Sequence, residues 1–216
     1  MVTLTRAEAG RRLAMGLGAL VRETPAVVAV SPGAVRVASE IARAFEAPLD
    51  VIAGRRLEVP GRSHSVFGAV ADGSVIVLPE RVRVLGLPED YVAGLVDLAR
   101  REVDRATRAL RGGAAQLNVQ ERTVVLVDDG LSECVLVAAT ARALREHGAR
   151  RIVFATPMAT PELLSAMESC CDEHLVLYPV EMPLDTVICD PHFEQTTRVE
   201  VGAMVRRSRS NLAAVT

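Results

Sequence analysis

The chain contains no lysine, and all 25 of its basic residues are arginine. The missing side-chain amine excludes Schiff-base chemistry, attachment of pyridoxal phosphate and a phosphate-binding loop built on lysine. Phosphate recognition by arginine remains open. Tryptophan is absent too, and aromatic residues make up only 3% of the 216 residues. Few side chains are therefore available to stack on a base, and the candidates are Phe67, Tyr178 and Phe193.

The chain also lacks a strong net charge and a long apolar run. The formal net charge of -2 gives no overall attraction for nucleic acid, and 50% apolar content is far from the composition of a disordered chain. No segment is long and apolar enough to span a bilayer. Residues 13–21 are apolar, but Thr5 and Glu8 form a capping box before them, which predicts a helix rather than a signal-peptide core. We expect no nucleic-acid partner and no membrane partner.

The four cysteines show no C-x-x-C pair. A chain of this size with this apolar content does not need disulfides for stability, so we expect reduced thiols and a cytoplasmic protein. Cys171 with His174 and Cys189 with His192 form two C-x-x-H pairs. Two thiolates and two imidazoles are a possible zinc set, and the alternative is buried cysteines with surface histidines.

Short β-branched segments alternate with segments of helical periodicity, which predicts an α/β fold with a mainly parallel, doubly wound sheet. The predicted strands are 26–30, 49–53, 123–127, 152–156 and 175–178, and the predicted helices are 34–45, 88–110, 131–147 and 161–171. Between them lie a polar loop at 54–65 and two strands around Asp72-Gly73, a strong hairpin signal. We predict a single domain over residues 1–205, with a small antiparallel flap at 57–78, a C-terminal hood segment at 179–205 and a frayed tail at 206–216.

Two adjacent acids directly follow a buried strand, at Asp128 and Asp129. Ligands of open α/β sheets bind beyond the carboxyl ends of the strands, where paired carboxylates can hold vicinal hydroxyls or approach a metal. The turn after them leads into a helix whose backbone N–H groups can face an anion. A sugar phosphate suits both groups, because its hydroxyls can bind the carboxylates and its phosphate can bind the N–H groups. The alternative is an ordinary strand-to-helix turn in which Asp and Ser act only as caps.

Two further residues are weaker candidates. Cys134 stands at the start of a helix, where the dipole lowers a thiol pKa, although adjacent Glu133 opposes that effect; the alternative is a small buried apolar residue. His64 lies in the arginine-rich loop and can reach a phosphate or act as an acid near neutral pH, or can simply be exposed.

The segment VVLVDDGLSECVLVAATARALREHGARRIVFATPMA resembles the phosphoribosyl-pyrophosphate (PRPP) motif, and the β-α-β unit that follows it, of the type I phosphoribosyltransferases. The resemblance is greatest to a stand-alone bacterial group of this family. It extends over most of the chain, through VVAVSPGAVRVASEIARAFEAPLDVI, GRRLEVPG, FGAVADGSVIVLPE and the C-terminal DPHFEQTTRVEV. It implies transfer of ribose 5-phosphate from PRPP to a nitrogen nucleophile, with release of pyrophosphate and with Mg²⁺ as the cofactor bound to PRPP. A homodimer is a common arrangement for such domains.

The resemblance also implies roles for particular residues. Asp128 and Asp129 would bind the ribose hydroxyls and lie near the magnesium, and Arg55 and Arg56 would contribute charge toward pyrophosphate. The 5′-phosphate would be wrapped by the turn after the acids, which contains Gly130, Leu131, Ser132, Glu133 and Cys134. Pyrophosphate would be held by the loop after the first core strand, which is Ser31, Pro32, Gly33 and Ala34. The acceptor would be sought near residues 190–197.

This chain departs from its relatives in both phosphate loops. Relatives read Gly-Ile-Ala-Thr-Gly-Ala-Thr after the acids, and this chain has lost both threonine hydroxyls and gained Glu133. A carboxylate at ~4 Å from a phosphate repels it by roughly 4 kcal/mol per unit pair at an effective dielectric of ~20. Relatives carry Pro-Arg-Gly-Gly in the loop after the first core strand, where this chain has Ser31, Pro32, Gly33 and Ala34 and therefore no arginine. Three functions are therefore compatible with the sequence: a phosphoribosyltransferase, a non-catalytic PRPP- or nucleotide-binding, regulatory relative, or a protein that binds a different sugar phosphate or nucleotide.

Overall fold

In the computed structural model, which describes residues 4–62, 64–181 and 196–213, seven α-helices and eight strands follow one another in this part of the chain. The helices are α1 (Arg6–Gly16), α2 (Ala34–Ala44), α3 (Pro79–Leu85), α4 (Glu89–Leu110), α5 (Cys134–Glu146), α6 (Pro161–Glu168) and α7 (Arg198–Ala213), with a 3-10 helix at Gly18–Glu23. The strands are β1 (Ala26–Ala29), β2 (Leu49–Val51), β3 (Gly54–Leu57), β4 (Gly68–Ala71), β5 (Ser74–Val77), β6 (Thr123–Val127), β7 (Arg151–Ala159) and β8 (Glu173–Pro179).

The core of the molecule is a five-stranded parallel sheet in the order β2-β1-β6-β7-β8. The chain moves outward in one direction from β1 to β2 and in the other from β6 to β8. Because parallel crossovers are right-handed, α2 lies on one face of the sheet and α5 and α6 lie on the other. The predicted α/β, doubly wound fold is confirmed. The direction of winding changes between β1 and β6, and this is where ligands of such sheets bind.

The predicted antiparallel flap is also present, as a three-stranded sheet in the order β3-β4-β5. Asp72 and Gly73 connect β4 and β5 with φ angles of 44° and 88°, as the two-residue turn requires. Residues 54–57 were predicted as part of a loop, and that was wrong. They form β3, because pairing with β4 satisfies their backbone groups in spite of the Arg-Arg pair in the middle.

Several predicted boundaries need correction. The helix predicted from 131 begins at Cys134, because Gly130 has φ 84° and Glu133 is extended, so residues 131–133 remain in the loop. β7 is longer than predicted, and α6 is shorter. Near the N-terminus, Thr5 accepts a hydrogen bond from the Glu8 backbone N–H at 3.1 Å, as the capping box predicts. The helix predicted through residues 13–21 ends at Gly16 and is followed by the 3-10 helix, in which Val21 is exposed.

The frayed tail predicted at 206–216 is wrong for its described part, which belongs to α7. The Ser208 hydroxyl accepts from the Leu49 N–H at 3.0 Å, and Arg209 donates to the Leu49 carbonyl at 3.2 Å. Leu49 begins the edge strand β2, so these side chains cover backbone groups that would otherwise be unpaired at the sheet edge. In the predicted hood at 179–205, residues 198–205 are the first half of α7, which packs against α2, α4 and β2. Residues 182–195 lie outside the described residues.

Candidate functional site

Two loops meet at the point where the sheet changes its winding direction. One follows β1 and contains Ser31, Pro32 and Gly33, and the other follows β6 and contains residues 128–133. β1 and β6 are paired in register, with Ala29 beside Val127, so both loops leave the same edge of the sheet at neighbouring positions. The sequence predicted each loop as a binding loop, and the structure brings the two together.

Asp128 is fully buried at the end of β6. Its Oδ2 atom accepts hydrogen bonds from the backbone N–H groups of Gly130 (2.8 Å) and Ser132 (3.4 Å), whereas Oδ1 is buried and has no hydrogen-bond partner among the described residues. Burial, followed by the neighbouring charge of Asp129, raises the pKa of Asp128 to about 6, and the hydrogen bonds from Ser132 and Gly130 act in the opposite direction. One carboxylate of the pair therefore stabilises the loop and titrates close to neutral pH.

Asp129 is held by an arginine that sequence reasoning missed. Arg6, in the first turn of α1, donates from Nε (3.1 Å) and Nη2 (2.9 Å) to Asp129 Oδ2, and both side chains are buried. The two residues are 123 positions apart in the chain. A buried arginine needs a buried anion, but no pattern around Arg6 indicates which one. Asp129 is therefore ion-paired with Arg6 in this structure.

Glycines allow the two loops to approach each other and the sheet. A Cβ atom on Gly33 would lie 2.4 Å from Asp129 Oδ2, so any larger residue would displace that carboxylate. Gly130 has φ 84°, and a Cβ there would lie 2.5 Å from Met158 Cγ. Both glycines were predicted site residues, and their positions require glycine for steric reasons.

The loop after β1 makes a hydrogen bond to the start of α2, the next element in the chain. The Ser31 hydroxyl accepts from the Ala34 N–H at 3.1 Å and so caps the start of α2, where Ala34 is buried. This is the capping role that a serine before a helix ordinarily has. Pro32 is exposed, and Ser31 and Gly33 line the cavity described next.

A cavity of about 640 Å³ lies between the loops, β3 and α4. From β3, Arg55 pairs with Glu102 of α4, and Arg56 donates to Glu133 Oε1 at 2.5 Å. The predicted site residues that line this cavity are Ser31, Gly33, Arg55, Arg56, Asp129, Leu131, Ser132 and Glu133. Both arginines therefore line the cavity, and each is ion-paired with a carboxylate.

A family model of the phosphoribosyl transferase domain matches residues 4–175 of this chain. The chain belongs to the phosphoribosyl transferase family. Two proteins of Mycobacterium tuberculosis (strains CDC 1551 / Oshkosh and H37Rv), each named "Putative phosphoribosyl transferase", are 31% identical to it over 212 residues. The alignment covers 96% of this chain and 47% of each relative, so the chain spans about half the length of the curated relatives it matches.

Among solved structures, the crystal structure of TT1426 from Thermus thermophilus is similar to this fold with a TM-score of 0.77 and 28% identity. The match covers 96% of this chain and 99% of that chain. The resemblance to phosphoribosyltransferases read from the sequence is therefore confirmed at the level of family and fold.

Compared with the expectations from the family, the phosphate loop shows one unexpected feature. Glu133 was predicted to place a carboxylate where a phosphate would lie, and in the structure its side chain is turned to Arg56. The hydrogen bond to Glu133 raises the pKa of the Arg56 guanidinium. Arg56 and Glu133 are 77 residues apart, so their pairing had no local signal in the sequence.

The weaker candidates have different outcomes. Burial raises the pKa of Cys134, which disfavours a nucleophilic thiolate, and His64 is exposed. Phe67 is fully buried in the flap and so is unavailable for stacking, while the Tyr178 hydroxyl accepts from Arg12 Nη1 at 2.5 Å. Cys189, His192, Phe193 and most of the predicted acceptor segment lie outside the described residues.

No helix within residues 4–62, 64–181 and 196–213 has the length and apolar character needed to cross a membrane.

Proposed function

We propose that this protein binds PRPP in the cavity between the β1 and β6 loops and transfers its ribose 5-phosphate to a nitrogenous acceptor. The observation that carries the proposal is the convergence of three chain segments, predicted separately as phosphate and ribose contacts, around one cavity at the switch point of the sheet. The family match supports it as well.

The described residues supply a surface for each part of PRPP. Asp129 lines the cavity and offers a carboxylate to the ribose hydroxyls. The Glu133 side chain makes no capping bond to α5, so a 5′-phosphate can accept from the first N–H groups of that helix. Arg55 and Arg56, on the opposite wall, are suited to the pyrophosphate once it displaces their carboxylate partners.

In the proposed reaction, the bond from C1′ to the pyrophosphate oxygen breaks, and pyrophosphate leaves with the electron pair. The acceptor nitrogen forms the new bond to C1′ and loses its proton. Positive charge develops on the ribosyl ring during this exchange, so the protein acts mainly by positioning both reactants and by stabilising charge. The carboxylate of Asp129, which lines the cavity, is the group that we propose to stabilise that charge.

Magnesium fits this site as an ion carried by the substrate. Within the described part of the chain, no three His, Cys, Asp or Glu side chains converge to form a metal site of their own. Mg²⁺ is commonly held by one or two carboxylates together with substrate phosphates, and the unpartnered Oδ1 of Asp128 is a carboxylate oxygen of the required kind. When bound, the ion would neutralise charge on the leaving pyrophosphate.

A second candidate function is a non-catalytic PRPP- or nucleotide-binding protein with a regulatory role. Three internal ion pairs favour it, because they occupy the charged groups that catalysis would use. The pairs are Arg6 with Asp129, Arg55 with Glu102 and Arg56 with Glu133. A binder can tolerate a site whose charges are largely satisfied, whereas a transferase has to exchange them at each turnover.

Calorimetric titration of PRPP with Mg²⁺ into the purified protein tests binding, and pyrophosphate release with a panel of nitrogenous bases tests transfer. We expect saturable binding that is lost in the Asp128→Asn, Asp129→Asn double variant. Asp72→Asn is the matched control, because Asp72 is a partly buried carboxylate outside the site in a left-handed turn that asparagine also adopts.

The outcomes separate the two functions. Binding together with pyrophosphate release supports the transferase, and binding without release for any base supports the regulatory protein. No heat and no thermal protection at millimolar PRPP contradicts both.

We further propose that the protein acts in the cytoplasm as a homodimer. The described thiols of Cys134, Cys170 and Cys171 are free, which is compatible with a reducing compartment. Light scattering of the purified chain tests the dimer, with a mass of 23.1 kDa expected for a monomer.

A further inference from the structure

Three sulfur atoms meet at the C-terminal end of α6. The Sγ atom of Cys170 lies 4.0 Å from Sγ of Cys171 and 3.9 Å from Sδ of Met167. Both cysteines are half-buried free thiols, and Met167 is fully buried. The next residue, Asp172, bonds through its N–H to the Ile152 carbonyl at 2.9 Å, near the start of β7. This sulfur cluster (Met167, Cys170, Cys171) therefore lies at the edge of the sheet opposite the proposed PRPP site.

The two distances from Cys170 Sγ, to Cys171 Sγ and to Met167 Sδ, match the sulfur–sulfur spacing of a trigonal metal site. With metal–sulfur bonds of about 2.3 Å, the sulfurs of a planar three-coordinate site lie about 4.0 Å apart. Thiolate and thioether ligands favour soft metal ions, and the methionine thioether favours Cu(I) over zinc, whose protein ligands are Cys, His and carboxylates. We propose that Met167, Cys170 and Cys171 form a binding site for Cu(I).

The C-terminal end of α6 and the side chain of Arg145 both lie beside the cluster. The Cys170 thiol donates to the carbonyl oxygens of Ala166 (3.3 Å) and Met167 (3.8 Å), at the C-terminal end of α6. Loss of the thiol proton would free these carbonyls, and cations are stabilised at this end of a helix. Arg145 supplies a positive charge near the two cysteines. The Arg145 guanidinium also bonds to Asp172 at 2.7 Å, which holds it beside the cluster.

Binding changes no oxidation state. One Cu⁺ forms bonds to two thiolate sulfurs, the two thiol protons pass to solvent, and the thioether of Met167 donates a lone pair without losing a proton. The bound unit carries one net negative charge, opposite the positive charge of Arg145. The half-exposed thiols provide the route of entry for the ion.

Transfer of Cu(I) from its coloured bicinchoninate complex to the reduced full-length protein, under argon, tests the proposal. We expect wild type to take one equivalent, and Cys170→Ser and Cys171→Ser each to bind at least about tenfold more weakly. Cys134→Ser is the matched control, because Cys134 is also a half-buried free cysteine but is not part of the cluster, and it should bind as wild type does. X-ray absorption should count three sulfurs in wild type and two in Met167→Leu.

A second measurement needs no variant. Cu(I) should protect Cys170 and Cys171 of wild type from alkylation, detected by mass spectrometry, and leave Cys134 reactive. Failure of wild type to take up Cu(I), full affinity in Cys170→Ser, an unchanged sulfur count in Met167→Leu, or protection of Cys189 instead would each overturn the proposal. None of these readouts involves PRPP, so the outcome is independent of the proposed transferase function.

Discussion

The substitution Glu133→Gln removes one negative charge from the candidate phosphate loop and releases Arg56. In the structure, Glu133 Oε1 accepts from Arg56 Nη1 at 2.5 Å, and the two side chains are 44% and 46% exposed. A phosphate on the first turn of α5 would lie next to Glu133, and it would have to break this ion pair to use Arg56. We therefore expect Glu133→Gln to bind PRPP more tightly than wild type.

The size of the gain follows from two contributions. An exposed ion pair is worth about 0.2–1 kcal/mol, which the ligand no longer has to overcome. The repulsion between Glu133 and a phosphate charge at ~4 Å is about 1 kcal/mol in water and about 4 kcal/mol at an effective dielectric of 20. Because nearly half of the Glu133 side chain is in solvent, the lower value applies. The sum is about 1–2 kcal/mol, or roughly a 5- to 30-fold gain in affinity.

Calorimetric titration of PRPP with Mg²⁺ into both proteins, at low and at high salt, measures this gain, which should shrink as salt screens the charges. Glu58→Gln is the matched control. Glu58 lines the same cavity and lies 3.6 Å from Arg56 at 50% exposure, but it is not at the start of α5. An affinity of Glu133→Gln equal to that of wild type, or an equal gain in Glu58→Gln, would refute the reasoning.

Three further predictions concern the carboxylate pair and its supports. Asp128 has a pKa that rises from 3.8 to about 6 on folding, so the folded state holds its proton more tightly, and its ionisation lowers stability as the pH rises from about 4 to 6. Asp128→Asn should remove this loss, and the free energy of unfolding should rise by up to about 3 kcal/mol at pH 8 and change little at pH 4. Urea denaturation at both pH values checks this, and an equal effect of the substitution at pH 4 and pH 8 would contradict it. Gly33→Ala should displace the Asp129 carboxylate, lower the free energy of unfolding by about 1–3 kcal/mol and weaken PRPP binding. Gly18→Ala is the control and should change neither measurement, because a Cβ at Gly18 has no described atom within 4 Å. Arg6→Met should lower the free energy of unfolding by about 3–5 kcal/mol because it leaves Asp129 buried and unpaired; a loss below 1 kcal/mol in urea denaturation would show that solvent reaches this carboxylate.

Local chemistry explains what could be read from the sequence. The alternation of strands and helices predicted the parallel sheet, and the position of Asp128 and Asp129 after β6 predicted the site at its carboxyl edge. The Asp72-Gly73 turn and the Thr5 cap were predicted because each depends on residues within three or four positions of one another. Strand β3 was missed because its stability comes from pairing with β4 rather than from its own composition.

The amino-acid sequence was enough to predict the fold class and the two loops of the candidate site, and it shows the acidic residue Glu133 in one of these loops. The two ion pairs, Arg6 with Asp129 and Arg56 with Glu133, could be identified only from the three-dimensional structure. The structure also shows that α7 closes the edge of β2, where a frayed tail was expected. This difference between what could be predicted and what could not follows from the range over which the interactions act along the chain. Periodicity, caps and turns act within a few residues, whereas an ion pair between residues 77 or 123 positions apart forms only after packing has brought their elements together.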